Sequence, residues 1–242
     1  MKKCSALITF LFLFYVVHAQ TPHSRINQFV DVTGTIGNSQ GTGAASYVHN
    51  WKFGKYKRLE AGLGLRWTTY FGTKTEFTTA PAKLARTTTI PFVIFFAGQK
   101  LENQDTLTVQ RPLTNSVNLS INLGYNFSTR LNAGFNIDLI GFTFGRKSSA
   151  ILQSYGSTKI EPAAKPAAFN LLLTGDNDHG SLNSEFFLKY KLNNTWGIKV
   201  LYQFIFIEYK TENVKQVAPD GTMVERFRNK ANNFGLGVSY NF

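Results

Sequence analysis

The feature that most constrains this chain is a sustained alternation of apolar and polar side chains. The clearest case runs from Val117 to Phe127, where odd positions carry Val, Leu, Ile, Leu, Tyr and Phe, and even positions carry Asn, Ser, Asn, Gly and Asn. Successive side chains of a β-strand point to opposite faces, so this pattern predicts strands with one apolar and one polar face. Further segments of this kind lie at about 27–37, 43–53, 58–71, 131–145, 181–192, 196–210 and 230–242.

The connections between these segments differ in length. Gly54–Tyr56, Ser128–Arg130 and Asn193–Thr195 read as tight turns, whereas segments 72–113, 146–180 and 211–229 are long. Short turns at one end and long loops at the other are typical of bacterial outer-membrane barrels, in which the long loops are extracellular. We therefore predict an all-β fold, an antiparallel up-and-down transmembrane β-barrel of eight strands.

The chain ends on FGLGVSYNF, inside a predicted strand. In a closed barrel the last strand pairs with the first, so the chain can end there without leaving an edge. Phe242, Tyr240 and Gly237 resemble the C-terminal signal that outer-membrane barrels present to the barrel assembly machinery. The chain as a whole resembles the small outer-membrane β-barrel families, including the OmpA-like barrels. That resemblance implies the outer membrane of a Gram-negative bacterium.

The N-terminus predicts export. Lys2 and Lys3 precede an apolar run from Ala6 to Val17, and small residues precede a cleavage site near Ala19/Gln20. This pattern is typical of a Sec signal peptide over residues 1–19, which leaves a barrel domain at 20–242. The only cysteine, Cys4, lies within the signal, so disulfides have no part in the mature domain.

Two alternatives concern the fold. Segments 87–97 and 106–110 could form one more membrane-crossing hairpin, which would give ten strands, although Pro91 argues against a central strand. A soluble β-sandwich or a lipocalin-like binder would also show alternating faces.

Charged residues fall on the predicted inner face of the barrel. A barrel of about eight strands has room inside for side chains and little else, and buried charges must pair. We therefore predict a structural network of salt bridges in the lumen and no catalytic, cofactor or metal site. Its members are Asp31, Glu60, Arg66, Asp138, Glu185, Lys189 and Lys199.

The net charge and the few histidines limit the classes of function that fit the sequence. The formal net charge of +12 invites a nucleic-acid partner, but export and the absence of a basic stripe argue against one. We expect outer-membrane lipid and lipopolysaccharide as partners, with a non-enzymatic role for the outer loops or within an envelope complex. A lipid A or phospholipid-modifying enzyme and a narrow pore remain alternatives. Ser46 and His49 would point to opposite faces of a strand, and His179 lies in a polar turn with Asp176 and Asp178.

Overall fold

The computed structural model describes residues 25–154 and 156–242, so the predicted signal peptide lies outside the described residues. Fifteen strands are described, and all of their pairings are antiparallel. The strands are β1 (Ile26–Gly37), β2 (Gln40–Phe53), β3 (Leu59–Gly72), β4 (Lys74–Thr79), β5 (Thr106–Gln110), β6 (Leu113–Asn126), β7 (Leu131–Gly145), β8 (Ser148–Ser154), β9 (Ser157–Pro166), β10 (Phe169–Leu171), β11 (Leu182–Lys191), β12 (Trp196–Lys210), β13 (Gln216–Val217), β14 (Met223–Val224) and β15 (Arg226–Asn241).

Eight of these strands pair in a closed cycle, which we call the lower ring. Its order is β1, β2, β3, β6, β7, β11, β12, β15. The ring closes because β15 also pairs with β1, from Phe29 opposite Asn241 to Ile36 opposite Phe234. The chain therefore ends inside a sheet that has no free edge at this point.

A second, smaller cycle stands on the first, and we call it the upper ring. The upper ends of β12 and β15 pair with each other, β12 pairs with β9, and β15 pairs with β4. Strands β4, β5, β8 and β9 complete the cycle through the β4–β5, β5–β8 and β8–β9 pairings. The two rings share β12 and β15, the two strands that run through both levels.

The predicted number of strands is wrong. Thirteen strands belong to one continuous sheet, and β13 and β14 form a separate pair, so neither eight nor ten strands accounts for the chain. The ten-strand alternative fails in detail, because Thr106–Gln110 is a strand but pairs with Lys74–Thr79. Its proposed partner, segment 87–97, instead holds a 3-10 helix at Val93–Phe96. The extra strands have two to ten residues and lie within segments 72–113, 146–180 and 211–229.

A β-bulge shifts the register of β7 against β6 by one residue. Leu119 of β6 lies opposite Ile140, whereas Ser120 lies opposite Asp138, which leaves Leu139 as the extra residue. Below the bulge the odd positions of β7 face outward, and above it the even positions do, so Phe142 and Phe144 are exposed. The alternation of inward and outward side chains in β7 therefore shifts by one residue at Leu139.

Two excursions lie against the outer face of β12 and β15 near their upper ends, and we call them the lateral loops. The first spans residues 80–104 and contains helix α1 (Ala82–Ala85) and the 3-10 helices Val93–Phe96 and Leu101–Asn103. The second spans residues 172–181 with a 3-10 helix at Gly175–Asn177. Among the described residues, no helix has the length and apolarity to cross a membrane, a finding that does not bear on strands.

Candidate functional site

The outer surface of the lower ring is apolar, and we call this surface the apolar belt. Large hydrophobic side chains on its outward positions are exposed, for example Phe234 at 68% and Leu236 at 69%. Their inward neighbours are small or polar, such as Gly235, Gly237 and Ser239. This is the reverse of a soluble sandwich, which buries its apolar face. The exposed surface would be costly in water and is suited to lipid.

The height of the apolar belt matches a membrane. On β12 the outward positions from Trp196 to Phe206 are all apolar or aromatic, a distance of ten residue steps. At about 3.3 Å per residue and a tilt of about 40°, they span about 25 Å along the barrel axis, the usual height of a lipid-facing band. Trp196 at the turn end meets Tyr240 edge to face with ring centroids 5.1 Å apart, as expected of an interfacial aromatic girdle.

Six of the seven predicted lumen charges form one chain of alternating sign. Lys189 contacts Asp31 at 3.0 Å, and Asp31 contacts Lys199 at 3.1 Å. Lys199 then reaches Glu185 at 2.9 Å. Arg66 completes the chain, at 3.2 Å from Glu185 and 3.5 Å from Asp138.

This chain of charges, which we call the ion chain, has no net charge and is buried. It has three cations and three carboxylates, and every member is at most 3% exposed. Its members come from β1, β3, β7, β11 and β12, so it ties opposite walls of the lower ring together. Buried charges are tolerable only when each has such a partner.

The seventh predicted residue, Glu60, stands apart from the ion chain. Its carboxylate accepts hydrogen bonds from the side-chain amides of Asn27 at 2.8 Å, Asn50 at 3.2 Å and Asn126 at 2.7 Å. Glu60 thus closes the turn end of the lumen with amides in place of cations.

An uncharged polar layer that sequence reasoning missed lies above the ion chain. Gln203 accepts hydrogen bonds from Thr35 and Asn233, each at 2.8 Å, and donates to Thr42 at 3.1 Å. All four side chains are at most 2% exposed. Gln203 lies at an inward position on the same strand as Lys199, so the alternation itself was the signal that would have found it.

The interior becomes apolar at the level of the upper ring. A buried core fills it, built from inward side chains of both rings, with no member more than 2% exposed. The core consists of Tyr70, Phe77, Leu107, Val109, Ala150, Leu152, Ala164, Ile205, Ile207, Tyr209, Phe227 and Ala231. The outward positions of β4 are polar, with Lys74 and Glu76 exposed. The upper ring thus has the polarity of a soluble protein.

On β12 and β15, the strands shared by both rings, the inner and the outer face change polarity at the same height. On the inner side, the row of Gln203 opposite Asn233 is followed by the row of Ile205 opposite Ala231. On the outer side, the apolar column of β12 ends at Phe206, and the next outward residue, Glu208, lies opposite Arg228. Both changes fall within a few residues, so a single boundary separates a lipid-like from a water-like environment.

The three residues of the predicted assembly signal occupy the turn end. Tyr240 lies between Trp196 and Phe242, with both ring centroids 5.1 Å away. A Cβ at Gly237 would lie 2.6 Å from the side chain of Thr33, so β1 approaches closely there. Tyr240, Phe242 and Gly237 therefore have local packing roles, and their role as a signal stays a prediction.

Neither of the two histidines within residues 25–154 and 156–242 lies beside a nucleophile. His49 faces outward beside Trp51, with ring centroids 4.7 Å apart, and its Nδ1 lies 2.7 Å from the Gln28 amide nitrogen. Ser46 points to the opposite, inner face. His179 is exposed in the second lateral loop, and its backbone pairs with Leu171. Within residues 25–154 and 156–242, no group of His, Cys, Asp and Glu side chains is arranged to hold a metal ion.

Comparisons with known proteins give only distant likenesses. No family model matches the sequence, and neither does any curated protein. Among solved structures, the chain is similar to Neisserial surface protein A, at 10% identity and a TM-score of 0.37 over 90% of this chain and 98% of that one. It is also similar to Ail of Yersinia pestis, at 8% identity and a TM-score of 0.37 over 90% and 99% of the two chains. For a major outer membrane protein from Thermus thermophilus, identity is 12% and the TM-score 0.38 over 89% and 99%.

These likenesses carry no argument at such low scores. The fold rests on the strand pairing of this chain, and the narrower resemblance to OmpA-like barrels stays a prediction.

Proposed function

We propose that this protein is a non-enzymatic outer-membrane β-barrel that presents a rigid β-structured cap outside a Gram-negative cell. The observation that carries the proposal is the reversal of polarity between the two rings. The lower ring has a polar lumen and an apolar exterior about 25 Å high, which suits a bilayer. The upper ring has an apolar core and a polar exterior, which suits water.

The packed interior argues against a pore. The ion chain, the polar layer around Gln203 and the apolar core fill successive levels of the two rings. An ion crossing this path would have to break buried salt bridges and then enter an apolar core, and both steps are costly. We therefore propose that the barrel serves as an anchor and that the upper ring and the lateral loops carry the function.

The environment of the histidines argues against the enzyme alternative. A hydrolytic site needs a nucleophile within hydrogen-bond reach of a base. Ser46 and His49 lie on opposite faces of β2, and the His49 ring contacts Gln28 and Trp51. We propose contacts with outer-membrane lipid, with lipopolysaccharide or with an envelope protein as the function of the exposed part, and assembly by the barrel assembly machinery as its route.

Two measurements test the proposal. After cell fractionation, the protein should sediment with outer membranes, and the unboiled sample should migrate differently from the boiled one on a gel. Reconstituted in planar bilayers, it should show no stepwise conductance. A soluble periplasmic protein without a gel shift would refute the membrane placement, and reproducible single-channel steps would refute the sealed lumen.

A further inference from the structure

A polar cavity of about 150 Å³ lies between the lateral loops and the outer face of β15. We call it the cationic cavity because three cations, Arg86, Arg228 and Lys230, and one carboxylate, Asp176, line it. Its remaining walls include the amides of Gln99 and Gln104 and the end of β4. The volume is several times the ~30 Å³ that a water molecule occupies in the liquid, so a small oxyanion would fit.

Arg228 is the reason to expect a ligand. Its side chain is 2% exposed, yet its Nε and Nη1 have no hydrogen-bond partner among the described residues. One edge of the guanidinium is used, because Nη2 donates to the Asp178 carbonyl and lies 3.2 Å from Glu208. Nη1 lies 3.8 Å from Asp176, outside hydrogen-bond range. A buried guanidinium with two unused donors is costly unless an acceptor meets it.

The one carboxylate that lines the cavity does not neutralise its three cations. Asp176 takes hydrogen bonds from both Arg86 and Lys230. Burial alone would raise the pKa of Asp176, but these two partners outweigh burial and lower it, so the carboxylate stays charged. Glu208 lies opposite Arg228 on β12 and is held by Arg226 at 2.7 Å as well as by Arg228. The lining itself therefore keeps an excess of two positive charges.

The position of the cavity indicates where its ligand comes from. Lys230 lies opposite Phe206, the last residue of the apolar column on β12, and its ammonium is 5.8 Å from that ring. The cavity thus opens at the upper edge of the apolar belt, the level of lipid headgroups. Beside it, the first lateral loop exposes Phe92 at 76% and Phe96 at 91%, while Ile94 of the same loop is buried.

We propose that the cationic cavity binds the phosphate group of an outer-leaflet lipid, while the aromatic side chains of segment 90–96 contact its acyl chains. Guanidinium and ammonium groups are the side chains that bind phosphate best. The exposed aromatic rings beside the cavity favour a lipid over a free phosphate ion. That the ligand is a membrane lipid rests on the proposed membrane placement. That it carries a phosphate rests on the cavity alone.

The test uses the full mature protein folded in non-ionic detergent micelles, with calorimetric titration of two probes. The probes are inorganic phosphate and a short-chain phosphatidic acid, which carries the same phosphate chemistry on acyl chains. The test variant is Arg86→Gln with Lys230→Gln, since both side chains are partly exposed and the buried Arg228 is left in place. The control is Lys210→Gln, which removes a partly exposed cation from the upper end of β12 outside the cavity.

The wild type should bind phosphatidic acid at least tenfold more tightly than inorganic phosphate. The double variant should lose at least tenfold in affinity for phosphatidic acid, whereas Lys210→Gln should change it less than twofold. Equal affinity for the two probes would overturn the lipid source, and no binding of either would overturn the site. An equal loss of affinity in Lys210→Gln would show that the effect comes from the net charge of the protein and not from the cavity.

The gel shift of each variant confirms folding before titration. Because binding is measured in micelles, a protein that binds phosphate but fails to reach the outer membrane would refute the proposed function alone. A protein that reaches the membrane and binds neither probe would refute the cavity alone.

Discussion

Removing the Arg66 cation from the ion chain should destabilise the barrel strongly. Arg66 is 1% exposed and lies 3.5 Å from Asp138 and 3.2 Å from Glu185. Glu185 would keep Lys199 at 2.9 Å. Asp138 would be left without an ion-pair partner among the described residues, with only the amides of Asn118 and Asn183. Breaking a buried pair from one side costs about 3–5 kcal/mol, and we expect Arg66→Met to fall in that range.

Urea titration of the protein in detergent micelles measures this cost, with the folded fraction read from the unboiled gel band. Two variants make the result specific to the unpaired charge. Arg66→Met combined with Asp138→Asn removes both charges and should recover most of the loss. Lys210→Met breaks a pair with Glu225 in which both side chains are more than a third exposed, and should cost less than about 1 kcal/mol. A loss below about 1 kcal/mol for Arg66→Met, or no recovery in the double variant, would refute the reasoning.

Three further predictions test the two environments. Val200→Arg in the apolar belt should cost about 2–4 kcal/mol in lipid vesicles, whereas Gln153→Arg at an exposed outward position of β8 in the upper ring should be near neutral; equal costs would contradict the boundary. Phe77→Ala in the upper core should cost about 3–5 kcal/mol and speed tryptic cleavage of the cap; unchanged cleavage would argue against a packed core. Glu161 is buried, which alone would raise its pKa, but hydrogen bonds from Asn213 and neighbouring amides lower it, so its stabilising contribution is lost as pH falls below about 4. Amide hydrogen exchange at Asn213 and Val214, corrected for the intrinsic effect of pH, should therefore rise there in wild type, and the absence of a rise would contradict this role of Glu161.

Sequence alternation was enough to predict the strands of the lower ring but not the strands within the long connections. Each strand of the lower ring keeps its polar face inward, and this placed the members of the ion chain on the inner wall. The pattern could not pair Arg66 with Asp138 and Glu185, because partners across a lumen depend on ring order and side-chain reach. The strands β4, β5, β8 and β9 lie within segments that read as loops, so a strand count based on long alternation was too low.

The cationic cavity could not be predicted from the sequence, for a different reason. Arg86, Asp176 and Lys230 come from three separate segments that meet only because the lateral loops fold back on the barrel. The turn around Asp176 read as an ordinary polar turn from sequence, and by itself it gives no sign of the cations that surround it. Only the register of β15 against β12, with Lys230 opposite Phe206, brings the cavity to the edge of the apolar belt.

A local signal for the membrane boundary is nevertheless present in the chain. Between Phe204 and Ile207 of β12 the alternation gives way to four consecutive apolar residues. The outward pair, Phe204 and Phe206, completes the apolar belt, while the inward pair, Ile205 and Ile207, begins the upper core. Two apolar faces overlap there because the belt ends slightly above the level at which the core starts. An apolar run on both faces of an otherwise alternating strand therefore indicates the height at which a barrel leaves the bilayer and continues as a water-soluble cap.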